Sequence, residues 1–191
     1  MRDCGMIDQN KFLEHIINAL NDADIPYMIS GSIGSSFHGQ PRATNDTDIV
    51  IDPTQKQLLA FVESLGPDIY VSKEAALQAI ETNSMFNIID IQSGCKADFV
   101  IRKKRPFSQQ EFARRMSANF FGMDAYFVAP EDSILSKLEW SKGRPSEIQF
   151  KDALGVLIAQ KDKLDFDYLK HWANELGIEE ALNELIEQAG I

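Results

Sequence analysis

Asp46 and Asp48 stand two residues apart at the start of Asp46-Thr47-Asp48-Ile49-Val50-Ile51, where Thr47-Asp48-Ile49-Val50-Ile51, rich in β-branched residues, predicts a strand. Residues two apart in a strand point to the same face, so the two carboxylates lie side by side while Thr47 and Ile49 turn the other way. Adjacent like charges repel, and a cation relieves the repulsion. Hard oxygen ligands of this kind suit Mg2+ or Mn2+ held together with substrate phosphates. An isolated Asp-x-Asp also marks an ordinary solvent-exposed strand start, so the neighbouring chemistry has to separate the two readings. Asp98 is a third carboxylate, alternating with Ala97 and Phe99 in the strand 97–101. Three acids could share two metal ions, which activate an attacking hydroxyl and stabilise a leaving pyrophosphate. The competing reading leaves Asp98 as an exposed strand residue or a partner of Lys96.

A second feature lies upstream. The apolar run Tyr27-Met28-Ile29 stops at Ser30-Gly31-Ser32, the pattern of a short buried strand entering a turn, with a short helix expected over 33–38. Glycine lets a phosphate approach the backbone, and the Ser32 hydroxyl with helix N-terminal amides can hydrogen-bond it. The expectation is that Gly31-Ser32 and the acid pair sit at neighbouring strand ends. A Gly-Ser that is only a turn is the alternative.

The elements that must position these residues follow from periodicity. An amphipathic helix is expected over 9–23, with Phe12, Ile16, Ile17 and Leu20 on one face and Asp8 as N-cap. After the loop 39–45 and the strand 47–51 comes a helix over 55–65, then a strand at 69–71, a helix at 73–81 and a hairpin of 86–91 with 97–101. Ser108 caps a predicted helix over 108–117, and 125–128 reads as a further strand. From Pro130 onward every segment reads as helix: 131–141, 146–159, 166–176 and 178–188, with Gly143 and Gly177 as stops. The fold class expected is α+β: a mixed sheet flanked by helices with a C-terminal helical bundle. The division expected is a core over 1–129 and a helical subdomain over 130–191 packed on it.

Composition narrows the function. With 191 residues and 44% hydrophobic content the chain can bury one sizeable core. Its apolar runs are far shorter than the roughly 20 residues of a membrane span, and Met1 to Gly5 has no signal-peptide character, so a cytoplasmic location without membrane contact is expected. Cys4 and Cys95 lack metal-ligand spacing and are expected as reduced thiols. The net charge of -10 opposes a broad grip on nucleic acid. A local exception is the stretch 96–115, where Lys96, Arg102, Lys103, Lys104, Arg105, Arg114 and Arg115 outnumber Asp98 and Glu111. It reads as a solvated basic face or as a local polyanion contact.

The stretch Tyr27-Met28-Ile29-Ser30-Gly31-Ser32, with Ser35-Ser36-Phe37-His38-Gly39-Gln40-Pro41-Arg42-Ala43-Thr44-Asn45-Asp46-Thr47-Asp48-Ile49-Val50, resembles the first signature of the nucleotidyltransferase superfamily. More narrowly, it is similar to the bacterial branch that includes AbiEii-type toxin nucleotidyltransferases. The likeness extends through Lys96-Ala97-Asp98-Phe99-Val100, through Pro130 to Trp140, through Lys151 to Leu157, and into 169–177. The first block is the specific one.

The resemblance implies a nucleotidyltransferase-like mixed sheet flanked by helices. It also implies a divalent-metal site that transfers a nucleoside monophosphate from a nucleoside triphosphate to an RNA or protein hydroxyl, in a toxin-antitoxin setting with a cognate antitoxin. The alternatives are an aminoglycoside-type small-molecule nucleotidyltransferase and an inactive triphosphate-binding regulatory module. By carry-over, Asp46, Asp48 and Asp98 hold the metals, and Asp98 helps deprotonate the acceptor. Gly31 and Ser32 contact the triphosphate, Lys137 lies near its phosphates, and Arg42 is a further nucleotide-binding candidate. Relatives often carry arginine where this chain has Lys151, which cannot reproduce a bidentate guanidinium contact.

Plainer roles compete at several positions. Lys137 could form a salt bridge with a nearby acid, and Arg42 and Thr44 could brace their loop. His38 reads as a packing residue rather than a general base. Trp140 and Trp172 read as bundle core, and Asp52, before Pro53, as the start of the next helix.

Overall fold

The computed structural model describes residues 6–44, 46–120 and 122–191. They fall into two compact units. One comprises residues 6–29, 44 and 46–127 as far as described, and the other comprises 30–43 and 128–191.

The first unit is built on a sheet that, among the described residues, has seven strands: β1 (Tyr27–Ile29), β2 (Asp46–Ile51), β3 (Ile69–Val71), β4 (Met85–Asp90), β5 (Lys96–Ile101), β6 (Met116–Phe120) and β7 (Met123–Phe127). Their order is β3-β4-β5-β2-β1-β7-β6. The sheet is mixed: β2 runs parallel to β5 and antiparallel to β1, and β1 runs parallel to β7. With it go helices α1 (Met6–Asp22), α3 (Gln55–Ser64), α4 (Lys73–Thr82) and α5 (Pro106–Ala113). Their starts and stops are chemical. Thr54 and Gln57 form a reciprocal capping box on α3, Ser72 caps α4, and Asn83 ends α4 in the left-handed conformation (φ 49°).

Strict alternation sorts β2 and β5 into two faces. Thr47, Ile49, Ile51, Ala97, Phe99 and Ile101 are buried. Phe99 stacks on Phe86 at 5.2 Å and meets Phe61 of α3 at 5.4 Å, so this face is the core side. The opposite face of the same two strands carries Asp46, Asp48, Val50, Lys96, Asp98 and Val100.

The second unit is helical: α2 (Gly31–His38), α6 (Pro130–Trp140), α7 (Glu147–Gln160), α8 (Phe166–Leu176) and α9 (Glu179–Ala189). Ile134, Leu135, Leu138, Val156, Leu157, Leu169 and Leu185 form its interior. Buried polar groups tie its helices together. Tyr168 of α8 donates its hydroxyl to Asp132 of α6 at 2.6 Å, and Glu131 accepts from the Asp165 amide at 3.1 Å. Gln160 of α7 donates to the His38 carbonyl at 2.8 Å. Gly39 lies so close to α7 that a Cβ there would stand 2.7 Å from backbone atoms of Gly155 and Val156. That approach joins the segment 30–43 to helices about a hundred residues later in the chain, whereas the sequence reading grouped it with the sheet.

Several local expectations change. The helix expected over 108–117 ends at Ala113, because Pro106 supplies the first helical position and 116–120 pairs with β7 as a hairpin strand. Asp8 lies inside the first turns of α1 rather than capping it. Asp52 is not a helix start: Thr54 takes that role, and Asp52 pairs with Arg102 at 2.8 Å. Trp140 is not core. It is 66% exposed, because it sits two residues, and so about 200° round the helix, from buried Leu138. Cys95 is buried and disulfide-bonded, which corrects the expectation of a reduced thiol there. Sequence spacing can exclude a metal knuckle, but it cannot say whether a sulfur finds a partner. Cys4 lies outside the described residues. No described helix is long and apolar enough to cross a membrane.

Candidate active site

The parallel pairing of β2 with β5 sets the acid face. In register, Asp46 is opposite Lys96 and Asp48 is opposite Asp98. Directly opposed residues on neighbouring strands point to the same side, so all three aspartates share one face of the sheet. Asn87 of β4 is opposite Asp98 on the other flank. Asp46 is the outermost, with its side chain 59% exposed, whereas that of Asp98 is only 13% exposed.

Lys96 lies among these acids. Its Nζ stands 3.0 Å from Asp98 Oδ2 and 3.6 Å from Asp46 Oδ1. Partial burial works against its charge, but the hydrogen bond and charge of Asp98, joined by those of Asp46, outweigh that. The amine is therefore held above the ordinary lysine value. The other oxygen of Asp98, Oδ1, is buried and has no hydrogen-bond partner among the described residues. A buried carboxylate oxygen without a donor is costly unless something positive meets it. Two carboxylates gathered round one cation, and a third oxygen left without a donor, fit a divalent ion held by oxygen ligands. As the side chains stand, no group of His, Cys, Asp and Glu among the described residues is arranged to hold one, and the Lys96 ammonium lies between two of the carboxylates.

In the helical unit, α2 begins at Gly31, whose φ of 57° is the left-handed conformation that favours glycine. Arg42 donates from Nη2 to the Ser32 hydroxyl in a very short contact. The same guanidinium grips Asp152 of α7 with two bonds, from Nε to Oδ1 at 2.9 Å and from Nη2 to Oδ2 at 3.1 Å. Lys137 of α6 donates to the same Asp152 Oδ2 at 2.8 Å. Lys137 and Asp152 are both nearly excluded from solvent, with side chains 6% and 7% exposed. Burial pushes the Asp152 carboxyl up, but Arg42 and Lys137 together outweigh it and hold it below the ordinary aspartate value.

Thus Ser32, Arg42, Asp152 and Lys137 form one network around the start of α2. Sequence reasoning named Ser32, Arg42 and Lys137 but missed Asp152 as the residue that joins two of these cations. The signal was faint: Asp152 follows Lys151 in a helix and shares no local pattern with Arg42 or Lys137. Lys151 itself points to solvent, 75% exposed, and pairs with Glu147 at 3.7 Å. Thr44 braces its loop, donating to the Asp46 carbonyl at 3.2 Å and accepting from Gln9 at 2.9 Å.

His38 is a packing residue, as its lack of a partner nucleophile suggested. It is buried, and its Nε2 is 2.6 Å from the Val128 carbonyl, a contact that requires Nε2 to carry the proton. Burial holds its pKa below the ordinary histidine value.

No protein-family model and no curated protein matches this chain. Solved structures do. An antigenic nucleotidyltransferase-like protein from Paracoccidioides brasiliensis superposes with a TM-score of 0.63 at 15% identity, covering 95% of this chain and 88% of that one. The solution structure of the antibiotic-resistance factor ANT(2'')-Ia gives 0.61 at 13% identity, covering 95% and 98%. The chain has the nucleotidyltransferase-like fold. ANT(2'')-Ia in complex with adenylyl-2''-tobramycin also matches, with a TM-score of 0.58 at 13% identity over 88% of this chain and 96% of that one. At such identities the likeness is one of fold, and residue roles in this nucleotidyltransferase-like chain rest on its own geometry.

Proposed function

We propose that the protein is a metal-dependent nucleotidyltransferase that moves a nucleoside monophosphate from a nucleoside triphosphate to a hydroxyl acceptor. The observation that carries this reading is the in-register pairing of Asp48 with Asp98 and of Asp46 with Lys96. It gathers three carboxylates on one sheet face and leaves Asp98 Oδ1 buried without a donor among the described residues. Asp46, Asp48 and Asp98 are the ligands for Mg2+ or Mn2+, which when bound would polarise the phosphates and stabilise negative charge on the leaving pyrophosphate. Asp98 accepts the acceptor's proton. The acceptor oxygen bonds to the α-phosphorus, the bond from that phosphorus to the bridging oxygen breaks, and pyrophosphate leaves with the electron pair.

In the helical unit, the phosphate contacts are assigned to Gly31 and Ser32 at the start of α2, with Arg42 and Lys137 as cations. Arg42 and Lys137 share a buried carboxylate, so in the free protein they are braced. The shared carboxylate fixes the position of both cations, of which Arg42 is the more exposed.

The acceptor has two readings. An RNA or protein hydroxyl, with a cognate antitoxin as partner, follows from the likeness of the first signature to AbiEii-type toxins. A cationic small molecule of the aminoglycoside kind is supported by the net charge of -10, which attracts polycations and repels nucleic acid, and by the fold likeness to ANT(2'')-Ia.

The test is calorimetry of each of the four triphosphates with and without Mg2+, on wild type and on the Asp46→Asn, Asp48→Asn double variant. Metal-dependent binding is expected in wild type and is expected to vanish in the variant while its circular dichroism is unchanged. Equal binding in both proteins would refute the metal site. Labelled triphosphate offered with total RNA, with protein extract or with tobramycin then distinguishes the acceptors by which one takes up label.

A further inference from the structure

The acid face already holds a cation of its own. Lys96 lies on β5 two residues before Asp98, so the two side chains share a face, and its Cα partner across the sheet is Asp46. Its Nζ contacts one oxygen of Asp98 at 3.0 Å and one of Asp46 at 3.6 Å, while Asp98 Oδ1 is buried without a donor among the described residues. An ammonium so close to these oxygens repels an incoming divalent ion and takes part of the same lone-pair set. It is also able to leave: the Lys96 side chain is 33% exposed, and its flexible four-carbon stem can carry the charge out to water.

We propose that Lys96 is a built-in counter-ion of the acid face. It neutralises the aspartates in the metal-free protein, must be displaced when a divalent ion binds, and therefore sets the affinity of the site for metal. This rests on the metal-dependent reading above. Lys96 is a positioning residue: it acts through the carboxylates it contacts.

Removing the ammonium should have two opposite effects. The metal-free protein loses stability, since Asp46 and Asp98 lose the ammonium that both contact. The metal-loaded protein gains, since the ion no longer competes. For Lys96→Gln, Mn2+ should bind about tenfold more tightly than in wild type, a figure that discounts the Coulomb interaction for partial exposure. Its metal-free melting temperature should fall, and Mn2+ should raise it further than it raises that of wild type. Lys96→Arg, which keeps the charge, should stay within about threefold of wild type in Mn2+ affinity.

Mn2+ binding is read by electron paramagnetic resonance of the free ion, with and without triphosphate. Reactivity of the Lys96 amine toward an acylating reagent is read by mass spectrometry on wild type, so that one arm needs no variant. Labelling of Lys96 should speed up when Mn2+ is added. If wild type binds Mn2+ but Lys96→Gln binds it equally or more weakly, or if Lys96 labelling is unchanged by Mn2+, the counter-ion role is overturned and the metal site stands. If neither protein takes up Mn2+ with or without triphosphate, the metal-dependent reading fails and this inference fails with it.

Discussion

Asp152 joins two cations of the helical unit, Arg42 and Lys137. Its two oxygens accept from both Arg42 and Lys137, and the carboxylate and the lysine are almost fully buried. Replacing it with Asn leaves Lys137 buried with its charge poorly matched, which should destabilise the fold by about 2–4 kcal/mol in urea denaturation. In the double variant with Lys137→Met the stability loss should be smaller than the sum of the two single losses, because the second change removes the stranded charge. An additive result would mean that the two residues act independently despite their 2.8 Å contact. At the same scale, Trp140 shows how a large aromatic can mislead: its size suggested core, but the helical angle from Leu138 sets it outward.

The elements hold their places through close backbone approaches as much as through apolar burial. Gly39 and Gly155 are the clearest case, and the two glycines are not equivalent. A Cβ at Gly39 meets backbone carbon and nitrogen of Gly155 and Val156 at 2.7 Å, and backbone cannot rotate away. A Cβ at Gly155 meets the Gln40 amide and side chain at 3.4 Å and beyond, within ordinary contact. Gly39→Ala should therefore cost about 2–3 kcal/mol by overpacking. Gly155→Ala should be near neutral or slightly stabilising, since it sits inside a helix where Ala is the better residue. Thermal melts of the two variants decide this, and similar losses in both would refute the asymmetry. The same contact explains why the segment 30–43 belongs to the helical unit and not to the strands that flank it in sequence.

For the molecule as a whole, proton linkage gives a signed expectation. Asp152 has a lowered folded pKa against an ordinary value of 3.8, so its contribution is present above that value and is lost as pH falls through the folded one. His38 is also lowered, against 6.5, so it favours the folded state above about that pH and the contribution fades as acid protonates it. Lys96 is raised above 10.5, so its contribution is complete at neutral pH and is lost only as strong alkali deprotonates it. The melting temperature should accordingly decline from neutral pH toward pH 5 and more steeply below 4. The His38→Gln variant, which keeps a donor for the Val128 carbonyl, should lose the slope between about pH 5 and 7 and keep the steeper acid fall. An unchanged slope in that window would remove His38 from the account.

Much of the local architecture was legible in the sequence because it is decided by near neighbours. Alternation of apolar and polar residues marked β2 and β5 and put Asp46 with Asp48, and Asp98 with Lys96, on common faces of their own strands. Caps and helix stops came close to the observed ends of α3, α7 and α8. The hairpin strand β6 was missed because its first residues, Met116 and Ser117, follow a helix directly and read as its last turn, and only pairing with β7 selects the strand. What the sequence could not decide was everything set by partners distant along the chain. That includes the parallel register that puts Asp48 opposite Asp98, the Lys96 ammonium between Asp98 and Asp46, the grip of Asp152 on Arg42 and Lys137, and the bonded sulfur of Cys95. Side-chain direction within an element follows from backbone geometry, which near neighbours fix. Which elements meet, and in what register, depends on burying the whole set of apolar faces at once, and that information exists only in the folded chain.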